Sequence, residues 1–206
     1  MIALADKIVI PDLPELEFEE RKHIYLLDGV QIPSVTQLMK PLSDKVYGPV
    51  DIQTLENAAR KGTIVHNAID NYLEFEIEDI PEEHRGYFDA FLEWFENENP
   101  EVIATERKVY HKALRYAGTC DLLCMINGKL TLVDYKTSAA IQQMLYPIQL
   151  EGYAKAWETH GIKVEDKIIL HLKKDGKYAV HRYATNPEYY SVVFALSTLY
   201  NYESKF

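Results

Sequence analysis

The chain has 206 residues, 47% of them hydrophobic, enough for a well-filled core and ordinary for a globular protein. Acidic residues outnumber basic ones 32 to 22, a net charge of −10, which argues against a partner held over a broad basic surface. No apolar stretch approaches the ~20 residues of a membrane helix, so a membrane partner is not expected. No linker, repeat or low-complexity run breaks the sequence, which predicts a single domain over 1–206. Residues 1–50 read as an N-terminal hairpin-and-helix extension and 51–206 as the core. Met1 to Asp6 has no cationic region before an apolar core, so no signal peptide is expected and a cytoplasmic location is the default.

After an acidic, irregular opening, residues 23–33 predict a small hairpin around Asp28-Gly29, with Ser34 placed to cap a short helix. A long helix follows from about 51 to 76, its apolar stripe running through Leu55, Ala58, Ala59, Val65, Ile69 and Leu73, interrupted by Gly62. A second helix covers about 83–98, with Phe88, Phe91, Leu92 and Phe95 on one face. Segments 101–112, 116–126 and 129–136, rich in Val, Ile, Leu, Tyr and Thr, predict an antiparallel meander. A helix over about 147–160, with Pro147 suited to its first position, precedes a hairpin around Asp175-Gly176. The last helix spans about 187–202. Helix, three strands, helix and two strands make an α+β order.

Asn127-Gly128 is the strongest short hairpin signal in the chain, and a two-residue turn there fixes the register of the flanking strands. Ile126 then faces Lys129, Asp121 faces Asp134, and Thr119 faces Lys136. Like charges opposed in a ladder repel, so the pair calls for a compensating cation. Hard oxygen ligands suit a divalent one, and Lys136 lies on the same strand face as Asp134. A bulge or longer loop at 126–129 would separate the two acids. Cys120 and Cys124, four apart on the strand, share a face opposite that of Asp121 and read as core thiols.

These residues resemble the core of the PD-(D/E)xK nuclease superfamily, in its RecB-like exonuclease branch. Asp121 matches the first acidic position, and Val133-Asp134-Tyr135-Lys136-Thr137 matches the D-x-K motif. Gly62-Thr63-Ile64-Val65-His66 is similar to the branch's upstream G-x-x-x-H helix, and Gln149-Leu150-Glu151-Gly152-Tyr153 to its downstream Q-x-x-x-Y helix. His23-Ile24-Tyr25, Asp28-Gly29 and Pro33-Ser34-Val35-Thr36 look like phage-borne members.

The resemblance implies a restriction-endonuclease-like core, a central mixed sheet with the antiparallel meander flanked by helices. It implies a Mg²⁺- or Mn²⁺-dependent deoxyribonuclease acting on DNA in recombination, repair or phage DNA processing, in a bacterial or phage-infected cell. Asp121, Asp134 and Lys136 would be catalytic. Asp121, Asp134, His66 and the Tyr135 carbonyl would hold metal, with Lys136 at the attacking water. Gln149, Tyr153 and Glu106 would bind substrate or support the site. Some members hold an iron–sulfur cluster on four cysteines, which two cysteines cannot supply. A recombination or single-strand-binding protein is a further expected partner. Arg60, Lys61, Lys108, Lys112, Arg115 and Lys155 are candidates for a local basic strip. Two rival readings share the fold: a structure-selective endonuclease, and a non-catalytic recombination module.

Overall fold

The computed structural model describes residues 8–205, so the reading of Met1 to Asp6 lies outside the described residues. Three short strands open the chain: β1 (Leu16–Glu19), β2 (Ile24–Leu27) and β3 (Val30–Ile32). Asp28 and Gly29 both take positive φ, 53° and 73°, as the tight turn between β2 and β3 requires. β1, which pairs with β2, was hidden in the acidic opening, where charged and apolar residues do not alternate cleanly.

Ser34 caps α1 (Val35–Leu38) in a reciprocal capping box with Gln37, and α2 (Lys40–Tyr47) follows it unforeseen. α3 (Ile52–Phe75) is one continuous helix, capped by Asp51, and Gly62 does not break it. Its predicted stripe is only half used. Val65, Ala68 and Ile69 are buried, whereas residues 52–60 are exposed, Leu55, Ala58 and Ala59 among them. α4 (Arg85–Glu98) buries Phe88 and Phe91 and adds Trp94, which is fully enclosed.

β4 (Glu101–Tyr110), β5 (Ala117–Ile126), β6 (Lys129–Lys136), β7 (Asp166–Leu172) and β8 (Tyr178–Arg182) form a five-stranded sheet in chain order. Every neighbouring pair is antiparallel except β6 and β7, which run parallel across the crossover through α5 (Tyr146–Glu158). Pro147 stands at the second position of α5, not the first. α6 (Pro187–Glu203) closes the chain.

Helices cover both sheet faces, as a sheet with a parallel pair requires. On one face α1, α5 and α6 pack on Leu123, Leu130, Leu132 and Ile169. On the other, α3 and α4 pack on Leu122, Cys124, Val133 and Leu170. Burial of these side chains, each stabilising by roughly 1.5–3 kcal/mol, holds the sheet between its helices. The N-terminal sheet packs Tyr25, Leu27 and Ile32 against Tyr110 and Ala117. A buried Lys167–Glu151 ion pair ties β7 to α5. Among the described residues, no helix is long and apolar enough to cross a membrane.

Candidate active site

The Asn127-Gly128 turn is present, with φ values of 51° and 75°, and the ladder follows the expected register from Ile126↔Lys129 to Leu122↔Val133. It stops there, one pair short of the expected Asp121–Asp134 opposition. Asp121 Oδ2 instead accepts the Tyr135 backbone N–H at 2.7 Å, so a carboxylate occupies the place of the next ladder bond. The expected Thr119–Lys136 pair is likewise outside the β5–β6 ladder; across its other edge Thr119 pairs with Lys108 of β4, and its hydroxyl bonds that of Tyr25 at 2.8 Å.

The break coincides with an irregularity on β4. Glu106 sits in the left-handed region, φ 43°, between the pairs Thr105↔Leu122 and Arg107↔Cys120, and therefore opposite Asp121. A non-glycine residue held there stores backbone strain of order 1–3 kcal/mol, a kind of strain that concentrates at functional sites. The inside-outside alternation of β5 changes phase at this point. Leu122 and Cys124 face α4, while Cys120 packs on the α5 face, where the Trp157 indole N–H reaches its sulfur at 3.2 Å. The two cysteines therefore lie on opposite faces of the sheet, contrary to strict alternation.

Turned into this gap, Asp121 meets His66 of α3, whose Nδ1 stands 3.5 Å from Asp121 Oδ1. His66, Glu106 and Asp121 each offer a ligand atom, all within 4.8 Å of one another, and this is the potential metal-binding group among the described residues. Two carboxylates and an imidazole suit a hard or borderline divalent cation. One turn along α3, Asp70 adds a carboxylate oxygen, Oδ1, that is buried without a hydrogen-bond partner.

The protonation balance fits such a group. Burial, then the neighbouring Asp121 charge, pushes Glu106 up to about 7. Burial opposes charge on His66, but the Asp121 carboxylate outweighs it and raises the imidazole to about 9. Burial opposes charge on Asp121 too, and His66 overcomes it, holding the carboxyl below its ordinary range.

Asp134 and Lys136 form the adjoining half of the site. Lys136 Nζ lies 2.5 Å from Asp134 Oδ2 and 5.1 Å from the centre of the Tyr146 ring, at the first turn of α5. Burial raises Asp134 to about 6 in spite of Lys136. Burial works against the Lys136 charge, but Asp134 and Asp121 keep it above the ordinary lysine value. Tyr135 turns to the other face, packing its ring edge-on to His66 at 5.5 Å. Gln149 Nε2 donates to the Tyr153 hydroxyl at 3.1 Å, and the Tyr153 ring covers Gly118.

Two contributors escaped sequence reading. Tyr146 carried no signal, and Asp70 carried a weak one, its spacing of four from His66 on a helix. The basic strip is not assembled as one surface. Lys155 is engaged with Glu158, Lys108 lies over the Phe18 ring and Arg60 donates to Asn57 Oδ1, while Lys61 reaches the Thr137 carbonyl at 2.8 Å, next to Lys136.

Among solved structures, the chain is similar to an alkaline exonuclease, LHK-Exo, from Laribacter hongkongensis, at 9% identity and TM-score 0.46, covering 67% of this chain and 76% of that one. It is similar also to LHK-Exo in complex with dAMP, at 12% identity and TM-score 0.41, covering 84% and 87%. No curated protein sequence matches. A family model described as the PD-(D/E)XK nuclease superfamily matches residues 51–192. Because that match takes in every one of these side chains, from His66 on α3 to Tyr153 on α5, the chain belongs to the PD-(D/E)XK nuclease superfamily.

Proposed function

We propose that the protein is a Mg²⁺- or Mn²⁺-dependent exonuclease of the RecB-like type, hydrolysing phosphodiester bonds of DNA. The observation that carries this reading is the convergence of His66, Glu106 and Asp121 within 4.8 Å beside the Asp134–Lys136 pair. His66, Glu106, Asp121 and Asp134, with the Tyr135 carbonyl, would hold the ion. When bound, a divalent cation supplies Lewis acidity for the phosphate and lowers the pKa of water.

The chain's own groups do the rest. Asp121 is fixed by the Tyr135 N–H and His66 and so presents a preset ligand edge. Glu106, raised to about 7 by burial and Asp121, would serve as a ligand in its carboxylate form, which rising pH favours. Lys136 stays charged and offers N–H donors to an attacking water and to the negative charge that builds on the phosphate oxygens. Gln149 and Tyr153, whose ring closes the α5 side over Gly118, support that arrangement.

Digestion of linear and covalently closed circular DNA side by side with Mn²⁺ tests the reading. Loss of the linear form alone supports an exonuclease. Loss of both identifies an endonuclease, and loss of neither a non-catalytic binding module.

A further inference from the structure

Immediately after Lys136 the chain enters a cleft of about 240 Å³, lined by Lys61, His171, Lys173 and Lys174 around the backbone of Thr137 to Ala139. No carboxylate lines it. Four larger clefts among the described residues each include at least one: Glu106 in the first, Glu83, Asp44 and Glu165 in the others. In a chain of net charge −10, a cleft with three lysines, a histidine and no acid is not what composition alone would produce.

Lys61 and His171 are held in place by backbone carbonyls, and no carboxylate pairs with the lysines. Lys61 donates to the Thr137 carbonyl at 2.8 Å and lies 5.1 Å from the Tyr87 ring centre. His171 Nε2 lies 2.7 Å from the Ser138 carbonyl, a contact that puts the ring proton on Nε2. Lys173 and Lys174 are exposed at the β7–β8 turn, and none of the three lysines makes an ion pair among the described residues. The turn is seated on α4 at Gly86, where a Cβ would stand 2.0 Å from the Lys174 carbonyl oxygen. Only a bare backbone allows that approach, and it seats the backbone of the turn that carries both lysines at the cleft's edge.

Position completes the argument. His171 is the ladder partner of Lys136 across the parallel β6–β7 pair, so the cleft begins one strand away, roughly 4.8 Å, from the lysine beside the acids. We propose that the cleft is a phosphate-binding subsite, holding a phosphate of the DNA strand next to the one being cleaved. That phosphate is either internal to the strand or at its 5′ end. The inference rests on the nuclease reading for its ligand.

The test is fluorescence anisotropy with 3′-labelled oligonucleotides, bearing either a 5′-phosphate or a 5′-hydroxyl, in Ca²⁺ over a series of salt concentrations. The variant Lys173→Ala with Lys174→Ala is compared with the parent chain. Its control is Lys129→Ala with Lys163→Ala, two exposed lysines, one at the start of β6 and one three residues before β7. The cleft variant should bind about tenfold more weakly, and its slope of log affinity against log salt should fall by about two. A deficit confined to the 5′-phosphorylated strand assigns the subsite to a terminal phosphate. A deficit equal on both strands assigns it to an internal one. Parent-like binding by the cleft variant overturns the proposal, and so does an equal loss in the control. Cleavage of the same oligonucleotides by the parent in Mn²⁺ is scored separately. A binding deficit without any cleavage refutes the nuclease reading and leaves the subsite standing.

Discussion

Tyr153 lies across the bare backbone of Gly118: a Cβ built there would stand 2.3 Å from the Tyr153 Cε1 atom. The aromatic residue of the downstream helix motif and the glycine three residues before Asp121 are thus two halves of one contact. Gly118→Ala must displace the ring, breaking the Gln149–Tyr153 hydrogen bond, and should cost about 1–3 kcal/mol by overpacking. Thermal melts check this, and an unchanged melting temperature would show that the ring gives way freely.

Gly62 should behave in the opposite sense. It lies inside α3, one turn before His66, and a Cβ there meets nothing within 4 Å. Gly62→Ala should stabilise the protein by roughly 0.5–1 kcal/mol, because helix interiors favour alanine. It should also slow DNA cleavage, by placing a methyl group where a strand approaches His66. A variant both more stable and fully active would show that no strand passes over this backbone.

Lys136→Met should lower the cleavage rate about a hundredfold or more, by removing the donor beside the acids. It also leaves Asp134, only 3% exposed, without its cation. The metal-free variant should therefore be about 1–3 kcal/mol less stable near neutral pH and recover as acid neutralises Asp134. Near-normal turnover would remove Lys136 from the chemistry.

Glu106 predicts a pH dependence with a definite sign. Its folded pKa, about 7, is above the ordinary 4.5, so its contribution to stability is fully present below the ordinary value and lost as pH rises through 7. In chelator the melting temperature should fall across that window, and Glu106→Gln should flatten the fall. Mn²⁺ should bind more tightly as pH rises over the same range, raising the parent's melting temperature while raising that of Glu106→Gln much less. Equal metal stabilisation of the two proteins would exclude Glu106 as a ligand.

Much of this architecture was legible because it is local. The Asn127-Gly128 turn, the Ser34 cap and the apolar strands are written in neighbouring residues. What was not legible depends on distant ones. The phase change at Asp121 lies opposite the left-handed backbone of Glu106 on the adjoining strand, so counting outward from the turn carried the pairing one step past the end of the ladder. Glu106 looked like a supporting residue for the same reason. The outer half of α3 has apolar spacing with nothing packed against it, a pattern that periodicity alone cannot tell from a buried stripe. The α5 helix was legible locally, but the parallel pairing of β6 with β7 and the buried Lys167–Glu151 pair join distant residues and have no short-range signature.

Strand order in the five-stranded sheet is the order of the chain, and that bears on how the site comes into being during folding. Each of the β4–β5–β6 pairings closes only a short loop, so the entropy lost in forming them is small. Asp121, Asp134 and Glu106 can be brought together by these three consecutive strands before the rest of the sheet exists. Lys136 reaches its setting later, once α5 has carried the chain back to lay β7 alongside β6, bringing Tyr146 and His171 with it. The strands that carry the three acids are joined by local connections, whereas Tyr146 and His171 are brought to Lys136 only by the longer α5 crossover.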